Sequence, residues 1–321
     1  MAGRFSFTLE EYQQAAIIWR KPLQMLPIIG LKSSLQYMTG RPGIRFKENV
    51  GFLDADAQFA PYKATRRADV NLVLEHRTLE THFGNVVLDF EPNSAITTLL
   101  GTGATKGDGQ MQTPTAMHVL ALIAKGLSRH LNDSLFNAEF DPNGDTTHTL
   151  FDGFDTIVAK EIAAEKISVA NGNYMKLTEE ITVANALDVA KEILYSLDPI
   201  LRAEELNLYC SQDFADKYNE AMLLTHGGIN YYNQFGQNTV EGSNGRLHLV
   251  PLYNKADSKF IHVTPKSNML VGFDQMSDIE SVMVKEYEPF ILSYIATMFF
   301  GAQFESIDKR RLMVVELPDA A

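Results

Sequence analysis

The sequence predicts an α+β fold, and three features predict it. Residues 36–89 alternate polar and apolar positions, residues 113–131 carry one strong helical repeat, and three strand-like segments follow Ser281. No internal repeat interrupts this order.

Composition narrows the classes. With 321 residues, 45% of them hydrophobic and 21% charged, the chain can bury a large core as one extended domain or two compact ones; disorder and a collagen-like fibre are excluded. Apolar stretches such as Ala116–Leu127 are broken by polar residues and fall short of the roughly 20 apolar residues of a spanning helix, so no membrane partner is expected. One cysteine, Cys210, provides neither an internal disulfide nor a thiolate zinc set. The 28 Lys and Arg stand against 40 Asp and Glu, a formal charge of −12 that repels polyanions. The first residues lack a basic and apolar leader pattern, which makes the cytoplasm the expected compartment of synthesis.

Taken in order, residues 1–35 combine an amphipathic start (Leu9, Ile17, Ile18, Trp19) with a Pro-containing apolar stretch, and read as an arm that docks on something. Residues 36–89 read as long antiparallel strands punctuated at Gly40–Gly43 and Gly51, a half-buried ribbon. The glycine-rich run near 101–113 lacks the Gly-Lys-Ser/Thr ending of a phosphate loop and reads as a connector. Thr113 and Pro114 then start a helix, and Met117, Leu120, Ile123 or Ala124, Leu127 and Leu131 carry it through about five turns. Further helices are expected at Leu150–Glu165, from Thr178 through Leu197, and at Gln212–Leu224 with Ser211 as cap. Asn230–Arg246 has loop or hairpin chemistry, and short strands are expected at Arg246–Leu252 and Phe260–Thr264. The final segments, Ser281–Glu288, Phe290–Phe300 and Arg310–Leu317, read as strands, the aromatic middle one as a buried central strand.

No catalytic residue, cofactor site or metal set is predicted. The eight histidines form no close ligand pair, and Asp141–Asp152 resembles a calcium loop only loosely, with Thr146 where the loop needs glycine. Gly242–Gly245 is not a nucleophile elbow, and Cys210 has no placeable histidine partner. Lys309, Arg310 and Arg311 form a basic cluster expected to be a solvated turn or an ion pair between subunits. An apolar arm and an open ribbon need covering, and neighbouring copies of the chain would cover both. These features point to a self-assembling structural protein.

Four runs carry a resemblance: GIRFKENVGFLDADAQFAPY, RTLETHFGNVVLDFEPNSAITTLLG, LFDGFDTIVAKEI, and the stretch from FIHVTPKSNMLVGFDQ through KRRLMVVEL. Together they resemble major capsid proteins of tailed bacteriophages and prophages, most nearly those of phages of Bacteroides-type gut bacteria. The resemblance implies the Hong Kong 97-type fold. Residues 1–35 would be the N-terminal arm, 36–89 the extended β-loop, 90–166 the peripheral domain with its spine helix at 113–131, 167–264 the axial domain, and 265–321 the C-terminal strands of the peripheral domain. It further implies pentamers and hexamers forming an icosahedral head around double-stranded DNA that is held without sequence-specific binding. A separate scaffolding protein and a portal would be partners in assembly, and the virion the final location. An encapsulin-like compartment shell is the alternative on the same fold. Trp19, Phe46, Phe52, Phe59 and Tyr62, with Arg66 and Arg67, are the expected subunit-contact residues, since aromatic and Arg side chains dominate interfaces. The competing reading places the aromatics in the subunit's own core.

Overall fold

The computed structural model describes residues 9–19, 23, 32–56, 71–91, 112–226, 238–274, 282–288 and 291–318. Two five-stranded sheets and a two-stranded ribbon organise them. The first sheet is built around one long strand, β11 (Ile291–Phe304). On it pair β10 (Val282–Glu288), β9 (Met269–Phe273) and β4 (His82–Phe90), all antiparallel, while β1 (Thr39–Pro42) adds to β9 in parallel. The aromatic, continuous segment expected as a central strand is that strand. Tyr294, Phe300 and Phe304 on it are fully buried, each contributing on the order of 2–3 kcal/mol of apolar burial.

The second sheet has the order β5–β12–β8–β6–β7, made of Tyr174–Lys176, Met313–Glu316, Phe260–Thr264, Leu206–Ser211 and Leu247–Leu252. Helices α5 (Ala186–Ser196) and α7 (Gln212–His226) share its apolar core, where Ile193, Leu194, Phe214 and Tyr218 meet Leu208, Val263 and Val315. Ser211 caps α7 as expected, its Oγ accepting from the Phe214 amide at 3.3 Å. Between the helices lies the short α6 (Pro199–Ala203), started by the Asp198 carboxylate accepting from the Ile200 amide.

The strong repeat forms α3, Gln112–Ser134. Leu120, Ala124 and Leu131 are buried on its inner face, with Leu127 half-buried beside them. Asn132 near its end accepts from Ser34 Oγ at 2.7 Å, while its carbonyl accepts from Asn254 Nδ2 at 2.6 Å. The helix is thereby tied both to α2 (Lys32–Leu35) and to the turn after β7. The segment expected to dock on something packs, at its start, on its own chain: α1 (Leu9–Ile18) buries Tyr12, Ala15 and Ala16 with Val282, Val284 and Tyr294.

Two helix starts differ from the expectation. The helix assigned to Thr178 starts only at Ala186, because Leu177 and Ile181 enter the core from irregular backbone. Asn185 Oδ1 also accepts from the Thr182 amide at 2.7 Å, and such a local turn competes with helix. The preceding helix, α4, spans Phe154–Ala163 and excludes residues 150–153. Gly153 there presses on the backbone of Phe136, where a β-carbon would lie 2.3 Å from the carbonyl oxygen. Strands β1, β5, β6 and β9 have no counterpart in the pattern reading.

The ribbon pairs β2 (Lys47–Asp56) with β3 (Asn71–Glu80), in register from Lys47 opposite Glu80 to Asp56 opposite Asn71. Its root crosses the first sheet at Gly272 and Gly301, which are register partners on β9 and β11. A β-carbon on Gly301 would sit 2.1 Å from the Glu80 carbonyl oxygen, and one on Gly272 3.0 Å from Thr81 Cγ2. Replacing Gly301 by Ala is expected to lower unfolding free energy by about 1–3 kcal/mol, read by chemical denaturation, because backbone must move to admit the methyl group.

Candidate interaction surface and buried polar centre

The ribbon root is bolted down by charge as well as by shape. Arg77 on β3 places Nη2 2.7 Å from Glu161 Oε1 on α4 and donates to Gln303 Oε1 on β11 at 3.0 Å. Gln303 Nε2 donates in turn to the Thr78 carbonyl at 3.1 Å, and Arg45 Nε lies 2.5 Å from Asp274 Oδ2. Burial pushes the Glu161 carboxyl up, but Arg77, helped by Lys166, outweighs burial and holds it below its ordinary value.

Of the expected contact residues, Phe46 sits at this root. Its φ of 72° lies in the left-handed region, a strain of about 1–3 kcal/mol for a non-glycine residue. The Thr81 amide donates to the Phe46 carbonyl at 2.7 Å and holds that conformation. The Phe46 ring stays 66% exposed while packing edge-on against Phe299 at 5.2 Å. Phe83, also exposed, meets the other side of this aromatic patch at 4.9 Å from Phe299. Trp19 closes the end of α1 beside exposed Ile17 and Ile18 and is itself 38% exposed. Phe52 lies on β2 opposite Glu75. Phe59, Tyr62, Arg66 and Arg67 lie outside the described residues, as does most of the glycine-rich run and part of the loop at 230–246.

Other sequence candidates resolve into local structure. Asp152 bonds Lys160 at 2.7 Å and accepts from the Phe140 amide. Cys210 is buried and its thiol is pushed up to about 12 by burial, a value that suits packing and not nucleophilic attack. The basic cluster pairs within the chain: Lys309 with Asp198, Arg310 with Asp308 and Arg311 with Glu204.

Pattern reading missed one centre. Lys255, in a segment between two expected strands to which the pattern reading assigns no role, is only 1% exposed. Its Nζ lies 3.2 Å from Asp155 Oδ1 on α4, 3.1 Å from His262 Nδ1 on β8, 2.8 Å from Ser258 Oγ, and 4.2 Å above the Phe136 ring. Only the fold brings these four residues together. A signal existed solely in the apolar neighbours of His262, which a lone histidine does not make specific.

No family model matches the chain, and no curated protein matches it. Solved structures do. A chain of the satellite phage P4 procapsid, a particle that includes the size determination (Sid) protein, is 15% identical at a TM-score of 0.58, with 93% of this chain and 92% of that chain covered. The capsid asymmetric unit of cyanophage A-1(L) gives 11% identity and 0.55, covering 91% and 92%. The capsid of a native GTA particle gives 12% and 0.54, covering 89% and 90%. At these identities the likeness is one of fold. The chain has the α+β, Hong Kong 97-type fold of phage capsid subunits.

The Arg77–Glu161 pair makes a pH prediction. Glu161 has a lowered folded pKa, so its contribution is present above the unfolded value of about 4.5 and is lost as pH falls below it. Amide exchange at 77–81, compared between pH 7 and acid, is expected to show the root loosening below pH ~4.5. Glu161→Gln should remove that dependence, and Arg77→Ala should cost about 3 kcal/mol at pH 7.

Proposed function

We propose that the chain is the major capsid subunit of a tailed phage or prophage, which self-assembles into pentamers and hexamers of an icosahedral head enclosing double-stranded DNA. The observation that carries this reading is the ribbon. Two ten-residue strands leave the body of the subunit with no third strand on either edge among the described residues, and such a ribbon is marginal alone. A neighbouring copy supplies the missing cover. The fold shared with capsid chains supports the same conclusion, and the formal charge of −12 suits a shell that surrounds DNA without gripping it.

In this reading residues 1–35 form the arm, 36–89 the extended loop, 90–166 and 265–321 the peripheral domain, and 167–264 the axial domain that gathers around the symmetry axes. Trp19, Phe46, Phe52, Phe59, Tyr62, Arg66 and Arg67 contact neighbouring subunits. A separate scaffolding protein and a portal join during assembly in the bacterial cytoplasm, the virion is the final location, and a phage of a Bacteroides-type host is the source in this reading. The subunit acts as a structural protein and turns over no external substrate.

Sedimentation and negative-stain electron microscopy of the purified chain, with and without a co-expressed scaffold, test the proposal. Rings, tubes, sheets or closed shells are expected. The double variant Trp19→Ala/Phe59→Ala should keep a native circular dichroism spectrum and assemble poorly. A compact monomer under every condition would overturn the assignment, and normal shells from the double variant would overturn the contact roles.

A further inference from the structure

The buried lysine centre does nothing for self-assembly that a hydrophobic plug would not do as well, since replacing a buried ion pair by packed apolar groups is often neutral or stabilising. Its geometry has a chemical use. We propose that Lys255 and Asp155 condense into an intramolecular isopeptide bond, with His262 as the proton relay, tying α4 to the turn that leads into β8.

The two reacting groups are in contact. Lys255 Nζ lies 3.2 Å from Asp155 Oδ1, and both side chains are enclosed, with Phe136 against the amine and the Phe154 ring packed on Phe136. Held side by side, the two groups react as one molecule, which removes most of the entropic barrier of amide formation. Burial pushes the Asp155 carboxyl up and the Lys255 amine down, each opposed by the other's charge, so both move toward the neutral forms that condensation needs.

His262 spans the pair. Its Nδ1 is 3.1 Å from the amine and its Nε2 is 3.4 Å from Asp155 Oδ1, and Nε2 has no hydrogen-bond partner although the residue is fully buried. Burial and the neighbouring Lys255 keep the imidazole neutral. In the step, the Nζ lone pair attacks Asp155 Cγ and Nδ1 takes one amine proton. Nε2–H is given to the departing hydroxyl, the C–O bond breaks, and one water leaves. The imidazole ends as the other tautomer, so no oxidant or further reactant is consumed. A cavity of about 210 Å³, lined by Asp155, Ser258, Tyr253 and Asn254, adjoins the carboxyl and can receive the water.

Asp155, Ser258 and His262 would equally satisfy the three protons of an ammonium, so the plain ion pair is the outcome against which the bond is tested. The test is mass spectrometric peptide mapping of the full-length, natively folded chain. A branched peptide joining the Asp155 and Lys255 segments, lighter than their sum by one water, is expected. It should be missing from Lys255→Met and from chain kept unfolded in denaturant. Linear peptides of full mass from folded wild-type protein would overturn the proposal, whether or not Lys255→Met folds. His262→Phe should slow formation roughly a hundredfold, the usual size of an acid–base contribution. Unchanged formation in that variant would overturn the relay.

Discussion

The close approach of the ribbon root to two paired glycines is the constraint on which the rest of the structure depends. Gly272 and Gly301 face each other across β9 and β11, and the chain at Leu79–Thr81 lies directly on them. Any side chain there would lift the root off the sheet. With the root seated, β3 continues straight into β4, which extends β11 along nine residue pairs, and Arg77 falls within reach of Glu161 and Gln303. The ribbon is therefore fixed at its base, and among the described residues no third strand pairs with either of its edges. A protein that must present a long element to a neighbour needs both properties.

Charge follows the same economy. Two short ion pairs, Arg77 with Glu161 and Arg45 with Asp274, lie at the ribbon root, where partial burial makes them worth more than surface pairs. The basic cluster near the C-terminus, expected to be open or shared between subunits, is spent on Asp198, Asp308 and Glu204 of its own chain. Among the described residues of the arm and root, Ile17, Ile18, Trp19, Phe46 and Phe83 are exposed and apolar. Scattered contacts of this kind are individually modest and add up through a closed symmetric assembly.

Much of this was legible in the sequence, for identifiable reasons. The helical repeat ending at Leu131 and the strands after Ser281 were readable because their patterns are long and their burial one-sided or complete. Ser211 was readable as a cap because capping is local chemistry. The helix expected from Thr178 failed because tertiary burial of Leu177 and Ile181, with the Asn185 turn, overrode a plausible local signal. Strand β9 was missed because five residues buried throughout carry no alternation to detect. The glycine pair and the Lys255 centre were invisible for a different reason: each joins residues far apart in the chain, and nothing about Gly301 or Lys255 alone distinguishes it from a glycine in a bend or a lysine in a turn.

The central claim is that the ribbon braced on its own sheet is completed by a second copy of the chain. A cryo-electron microscopy map of the assembled protein, resolved well enough to trace side chains, tests it most directly. The account predicts that β2 and β3 of one subunit lie against the body of its neighbour, with the root still seated on Gly272 and Gly301. A ribbon folded back on its own subunit, or projecting into solvent within an ordered assembly, would contradict it.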